Sequence, residues 1–178
     1  MNVTIKSHNN APLNPKAQIP YTVRDLMNTK IARIKKKGGP VPQWEDEKAF
    51  LRDLSVNPVV AWPMYLYDCC PISDGASCML LVAEDIAKNF TDNPLYVIGM
   101  GQGSGRGFHA ADSLTSFEAT KNAAKEAYGM SGLKPEDIQF SEVHDCFSMA
   151  EIIHTEDLGF FNPGEGYKAV SDGLTRLD

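Results

Sequence analysis

Glu142-Val143-His144-Asp145-Cys146-Phe147-Ser148 is the stretch on which the reading of this chain turns. Gln139 to Val143 is predicted as a short strand. Phe147 to Leu158 is predicted as a helix, because Phe147, Met149, Ala150, Ile152, Ile153 and Leu158 recur at helical spacing. A histidine, a carboxylate and a thiol therefore cluster where a strand hands over to a helix. The N–H groups at a helix N-terminus and its positive dipole end favour developing negative charge. Such a place suits a reaction through an oxyanion or enolate. His144 is the candidate for direct chemistry, since an imidazole donates a hydrogen bond or relays a proton near neutral pH. Cys146 has two readings: a thiol activated by the helix end and the imidazole, or a side chain turned into the core.

Working outward, the elements alternate. Thr22 to Lys36 is predicted as a helix, with Thr22 and Asp25 forming a capping box and Val23, Leu26, Met27, Ile31 and Ile34 on one face. Gly38-Gly39-Pro40 ends it. Glu45 to Leu54 reads as a short helix. Asn57 to Tyr67 contains Pro58 and Pro63 and reads as extended. Ala76 to Ala83 and Leu95 to Met100 are nearly continuous apolar runs, the pattern of strands buried on both faces. A short helix over Glu84 to Asn89 and a longer one over Ser113 to Tyr128 follow them, and Pro135-Glu136-Asp137 starts a turn. Residues 1–20 read as loop. This order predicts a layered α/β architecture with a largely internal sheet.

The 178 residues fit one domain or a piece of a larger protein, and 43% hydrophobic content supplies a core. A net charge of −6 argues against general nucleic-acid binding. No apolar run is long enough to span a membrane, and Met1-Asn2-Val3-Thr4-Ile5-Lys6 lacks a signal-peptide pattern. The four cysteines, Cys69, Cys70, Cys78 and Cys146, read as reduced thiols of a cytoplasmic protein. The polar opening, and a last segment without a predicted helix or strand, read as those of a fragment.

Gly99, Gly101, Gly103, Gly105 and Gly107 alternate, which matches neither a phosphate loop nor the dinucleotide fingerprint. They read as a tight turn where elements crowd, with Arg106 and His109 left as residues that could face a ligand. The four histidines and the adjacent Cys69-Cys70 give no metal-binding spacing, so no metal is expected. Lys30, Arg33, Lys35, Lys36 and Lys37 read either as a solvated helix face or as a patch attracting ligand phosphates.

Three separated motifs carry a family resemblance: Cys69-Cys70-Pro71-Ile72-Ser73-Asp74-Gly75-Ala76, Gly101-Gln102-Gly103-Ser104 and His144-Asp145-Cys146-Phe147-Ser148. Together they resemble the thiolase superfamily, nearest its sterol-carrier-protein-type and archaeal or bacterial acetyl-CoA acetyltransferase-like branch. Ser7-His8-Asn9-Asn10-Ala11 and Asn14-Pro15-Lys16-Ala17-Gln18 are similar to its loop domain. The resemblance covers about residues 1–29 and 57–178. It implies a five-layer αβαβα fold in partial copy. Residues 1–67 would belong to the loop domain, with an insertion at about 30–56. Residues 68–90 would end the first half, and 91–178 would begin the second.

The resemblance implies an acyl-CoA C-acyltransferase that cleaves or condenses acyl-CoA thioesters. His144 would line the oxyanion hole and Asp145 would orient it. Coenzyme A enters as part of the substrate, with no covalently bound cofactor. None of the four cysteines matches the family's acyl-accepting cysteine, and its Gly-His-Pro and late-cysteine motifs are not found, so this chain alone is expected to be incomplete. Two rivals follow from the same likeness. One is a non-catalytic subunit that completes a partner's site. The other is a retro-aldolase acting on a hydroxyacyl-CoA with acid–base residues such as tyrosines (Tyr65, Tyr67 and Tyr96 are present). Implied partners are further copies of the chain, as a dimer or tetramer, and a small acyl-CoA-binding protein with a zinc ribbon and an OB-fold.

Overall fold

Thr22 starts the helix foreseen from its capping residues. Its hydroxyl accepts from the Asp25 amide at 3.1 Å, and the Asp25 carboxylate accepts from the Thr22 amide at 3.0 Å. Two otherwise orphaned donors are satisfied reciprocally. In the computed structural model, which describes residues 1–177, this helix runs over Val23–Lys36. Among the described residues the other α-helices are Asn2–Asn10, Glu47–Arg52, Glu84–Ala87, Glu118–Ser131, Ser148–Asp157 and Gly166–Ser171. In chain order, all seven are α1 to α7. Two strands, β1 (Val59–Ala61) and β2 (Met64–Tyr65), pair antiparallel with Val59 opposite Tyr65. The chain divides into two units, Met1–Pro71 with Ser141–Asp178, and Ile72–Phe140.

The core of the first unit lies between α2 and α3. Val23, Met27, Phe50 and Leu51 are buried there, with Ile5, Leu26, Ile31, Trp44, Val56 and Tyr67 packed around them. Asp46 caps α3 by accepting from the Ala49 amide at 2.7 Å. Buried Asn57 donates to the Leu51 carbonyl at 2.7 Å and accepts from the Tyr67 amide at 2.9 Å. That one side chain ties the end of α3 to the hairpin. Residues 30–56 thus supply half of this core.

Several expectations need correction. Residues 2–10 form α1, not loop. The segment has no capping side chain, and its helix is made by tertiary contact, which routinely overrides weak propensity. Val3 and Thr4 are buried, and Asn2 donates to Ser171 of α7 at 2.8 Å. The strand expected at Gln139 to Val143 is not formed, although the helix that follows it is. The chain also has a late helix, α7, too short for a periodic signal. The Glu156 carboxylate holds its start by accepting from the Gly164 amide at 2.9 Å and the Gly166 amide at 2.8 Å.

In the second unit, α5 begins at Glu118, later than Ser113. The Ser113 hydroxyl accepts from the Thr115 amide at 3.1 Å, a local bond that competes with helix formation. The runs read as buried strands, Ala76 to Ala83 and Leu95 to Met100, are unpaired and largely exposed. Leu80 is 68% exposed and Leu95 98%. An apolar run reports what a segment is built to bury. It does not say where the strands that would cover it come from.

The glycine alternation has a clear physical reason. Gly99, Gly101 and Gly103 lie against the backbone of α5, and an added Cβ on each would collide with the carbonyl oxygens of Ala127, Ala123 and Ala119 respectively. Two extended residues advance about 6.6 Å and four helical residues about 6 Å, so the two periods stay in step. Crowding is the right reading, but along a helix face, not in a turn. Gly101→Ala is expected to destabilise this unit by about 1–3 kcal/mol or more through overpacking. Gly107→Ala, where a Cβ would meet nothing within 4 Å, should be near neutral. Thermal melts of the two variants check the contrast.

Candidate functional site

His144 and Asp145 stand exposed on the segment that leads into α6. Two anchors hold that segment. The Cys70 amide donates to the Cys146 carbonyl at 2.9 Å, within an isolated antiparallel bridge between Cys69 and Phe147. Ser7, on α1, donates to the Asp145 carboxylate at 3.1 Å. His144 is therefore displayed to solvent just ahead of a segment held at Asp145 and Cys146. Phe147 occupies the N-cap of α6 and contributes no side-chain capping bond.

The start of α6 is tied down through Asp68. Its carboxylate accepts from Thr4 at 2.5 Å, from Ser148 at 2.9 Å and from the Tyr65 amide at 3.0 Å. Burial disfavours the ionised form, yet these hydrogen bonds together hold the carboxyl below the usual carboxylate range. Its stabilising effect is present above the ordinary carboxylate pKa and is lost as pH falls through the lowered value. Further along α6, Lys6 donates to buried Glu151 at 2.7 Å.

His154, in the second turn of α6, is pulled down in pKa by burial. Asp157 opposes that shift and the nearby His144 adds to it. His8 of α1 is likewise lowered by burial, against its contact with the Tyr21 carbonyl. The Cys69 thiol is pushed up by burial, and then by Asp68 and Cys70. That is the opposite of what an activated nucleophile needs.

The structure thus brings His144, Asp145 and Cys146 together with Ser7, Asp68, Cys70 and Ser148. The contribution of α1 and of Asp68 was missed from sequence; only the adjacency of Asp68 to Cys69-Cys70 pointed that way. In the other unit, Arg106 lines a cleft of about 490 Å³ with Asp112, Leu114, Phe117, Glu118 and Lys121. Its guanidinium bonds to Asp112 and Glu118, which neutralise it, so it is poorly placed to take a phosphate. Lys30, Arg33, Lys35, Lys36 and Lys37 are all exposed, and Arg33, Lys35 and Lys36 lie in the last turn of α2, where the helix dipole favours cations. Among the described residues no His, Cys, Asp and Glu cluster could hold a metal ion, and no helix is long and apolar enough to cross a membrane.

Helices, an antiparallel hairpin, a glycine-packed helix and a His-Asp-Cys segment at a helix start define a mixed α/β protein. Comparison with known proteins supplies the family. Residues 102–178 match the family model described as thiolase C-terminal domain-like. The chain is 40% identical over 179 residues to an acetyl-CoA acetyltransferase of Methanothermobacter thermautotrophicus, covering 99% of this chain and 39% of that protein. It is 31% identical over 116 residues to a steroid side-chain-cleaving aldolase of Thermomonospora curvata, covering 62% of this chain and 30% of that one. A solved structure of an Ltp2-ChsH2(DUF35) aldolase matches its fold with a TM-score of 0.69 at 23% identity, over 97% of this chain and 40% of the other. The chain belongs to the thiolase superfamily and carries a partial copy of its α/β fold. It spans about two-fifths of the length of the acetyltransferase it matches.

Proposed function

We propose that this chain forms part of an acyl-CoA C-acyltransferase, in which thioesters of coenzyme A are cleaved by thiolysis or joined by Claisen condensation. The observation that carries the reading is the exposed His144, displayed just ahead of α6 beside a segment anchored by Cys70 and Ser7. In this role His144 donates a hydrogen bond to the thioester oxygen as it becomes an oxyanion. Asp145, held by Ser7, keeps the segment in place. The acyl-accepting thiol comes from another polypeptide segment, because none of the four cysteines here sits in a matching motif and Cys69 is held protonated. Residues 1–67 act as loop domain, 68–90 close the first half of the fold and 91–178 open the second. Coenzyme A is the implied ligand of the acyl-transfer site.

In the native assembly that contains this chain, His144→Ala should lower kcat for thiolysis of acetoacetyl-CoA by about 10²–10³, the loss of one oxyanion donor. Unchanged turnover would remove His144 from the chemistry. A second reading, a non-catalytic chain that completes a partner's site, draws on the exposed apolar runs around Leu80 and Leu95. Under it, the chain adds no turnover of its own and gains it only with a partner. Cleavage of a hydroxyacyl-CoA without thiolysis would instead select the aldolase alternative, which the relative of that name makes plausible.

A further inference from the structure

We propose that Asp68 is a positioning residue for the His144 segment. Its side chain is only 8% exposed, yet it carries a charge and sits at the meeting of three elements. One oxygen accepts from Thr4 of α1 and from Ser148, the first residue of α6; the other accepts from the backbone of Tyr65 at the end of the hairpin. A buried carboxylate that receives three hydrogen bonds holds its donors more firmly than neutral acceptors would. Ser148 lies four residues from His144, and the backbone between them is held by the Cys70 amide on the Cys146 carbonyl and by the Ala150 amide on the Phe147 carbonyl. Releasing Ser148 therefore frees the segment at its helix end, and the place of His144 and Asp145 changes with it. Asp68 touches no reacting atom. Its effect on chemistry is exerted through Ser148, and the functional part of the proposal rests on the role given to His144 above.

Cys146 provides a built-in reporter, because it lies within the positioned segment and is half-buried, while Cys78 is exposed in the other unit. The chain is labelled with a thiol reagent and the rate at each cysteine is read by peptide mass spectrometry. In Asp68→Ala, labelling of Cys146 should rise about tenfold relative to Cys78, the effect of losing one charged hydrogen bond. Ser148→Ala, which removes only the α6 arm, should give a rise of similar size and guards against a failure of Asp68→Ala to fold. Asp68→Asn keeps acceptor oxygen for the two hydroxyls and should restore most of the protection. An unchanged Cys146 rate in Ser148→Ala, or a rise shared equally by Cys78, would overturn the proposal. Either result leaves the oxyanion role of His144 standing, since that role is tested separately by turnover of His144→Ala.

Discussion

Replacing Lys6 with methionine is expected to destabilise the first unit by about 3–5 kcal/mol, the cost of leaving one member of a buried ion pair alone. The pair joins α1 to α6, with Lys6 Nζ 2.7 Å from Glu151 Oε2 and the Glu151 side chain 2% exposed. The other oxygen of Glu151, Oε1, is buried without a hydrogen-bond partner. Lys6 is thus what compensates this carboxylate, and its loss strands a charge in a poorly solvated place. A double replacement, Lys6→Met with Glu151→Leu, should recover most of the loss, because exchanging both partners for apolar groups is close to neutral. Urea unfolding of the three proteins tests both halves. A single-variant loss below about 1 kcal/mol would place the pair with ordinary surface ion pairs.

Phe50→Ala should cost a comparable amount, about 3–5 kcal/mol, through lost burial and an unfilled cavity. The ring is 1% exposed and lies between Trp44, with ring centroids 5.0 Å apart and edge-on, and Tyr67 at 5.9 Å. Trp44 is itself fixed by donating to Asp53 at 3.0 Å, so the cavity cannot simply collapse. Trp62→Ala is the matched control: its side chain is 78% exposed, and removing it should change stability by no more than about 0.5 kcal/mol. Equal shifts in the two midpoints would mean that the core is not centred on Phe50. The result also bears on residues 30–56, which read as an insertion by resemblance yet hold much of this cluster.

Much of the helical structure is legible because its signals are local. Thr22 and Asp25 lie three residues apart and cap α2 as their spacing requires. The apolar spacing from Phe147 onward yields α6 over Ser148–Asp157. α1 and the site's supports are different. Thr4 reaches Asp68 across 64 positions, Ser148 reaches it across 80, and Lys6 reaches Glu151 across 145. No spacing rule connects residues so far apart, and loop-rich polar sequence such as Ser7-His8-Asn9-Asn10 carries no helical period of its own.

The amino-acid sequence by itself determined the capped helices and the extended course within residues 57–67, since each rests on residue type and short spacing, while the family was legible through the resemblance of three separated motifs. Tertiary structure alone decided that the glycines at 99, 101 and 103 serve α5, because only the approach of a second backbone makes a Cβ intolerable. It alone decided that Asp68 holds the start of α6, because a carboxylate acquires that role from the donors that folding brings to it. It likewise left the runs at Ala76 to Ala83 and Leu95 to Met100 exposed, since hydrophobicity sets a demand for burial that only neighbouring strands can meet.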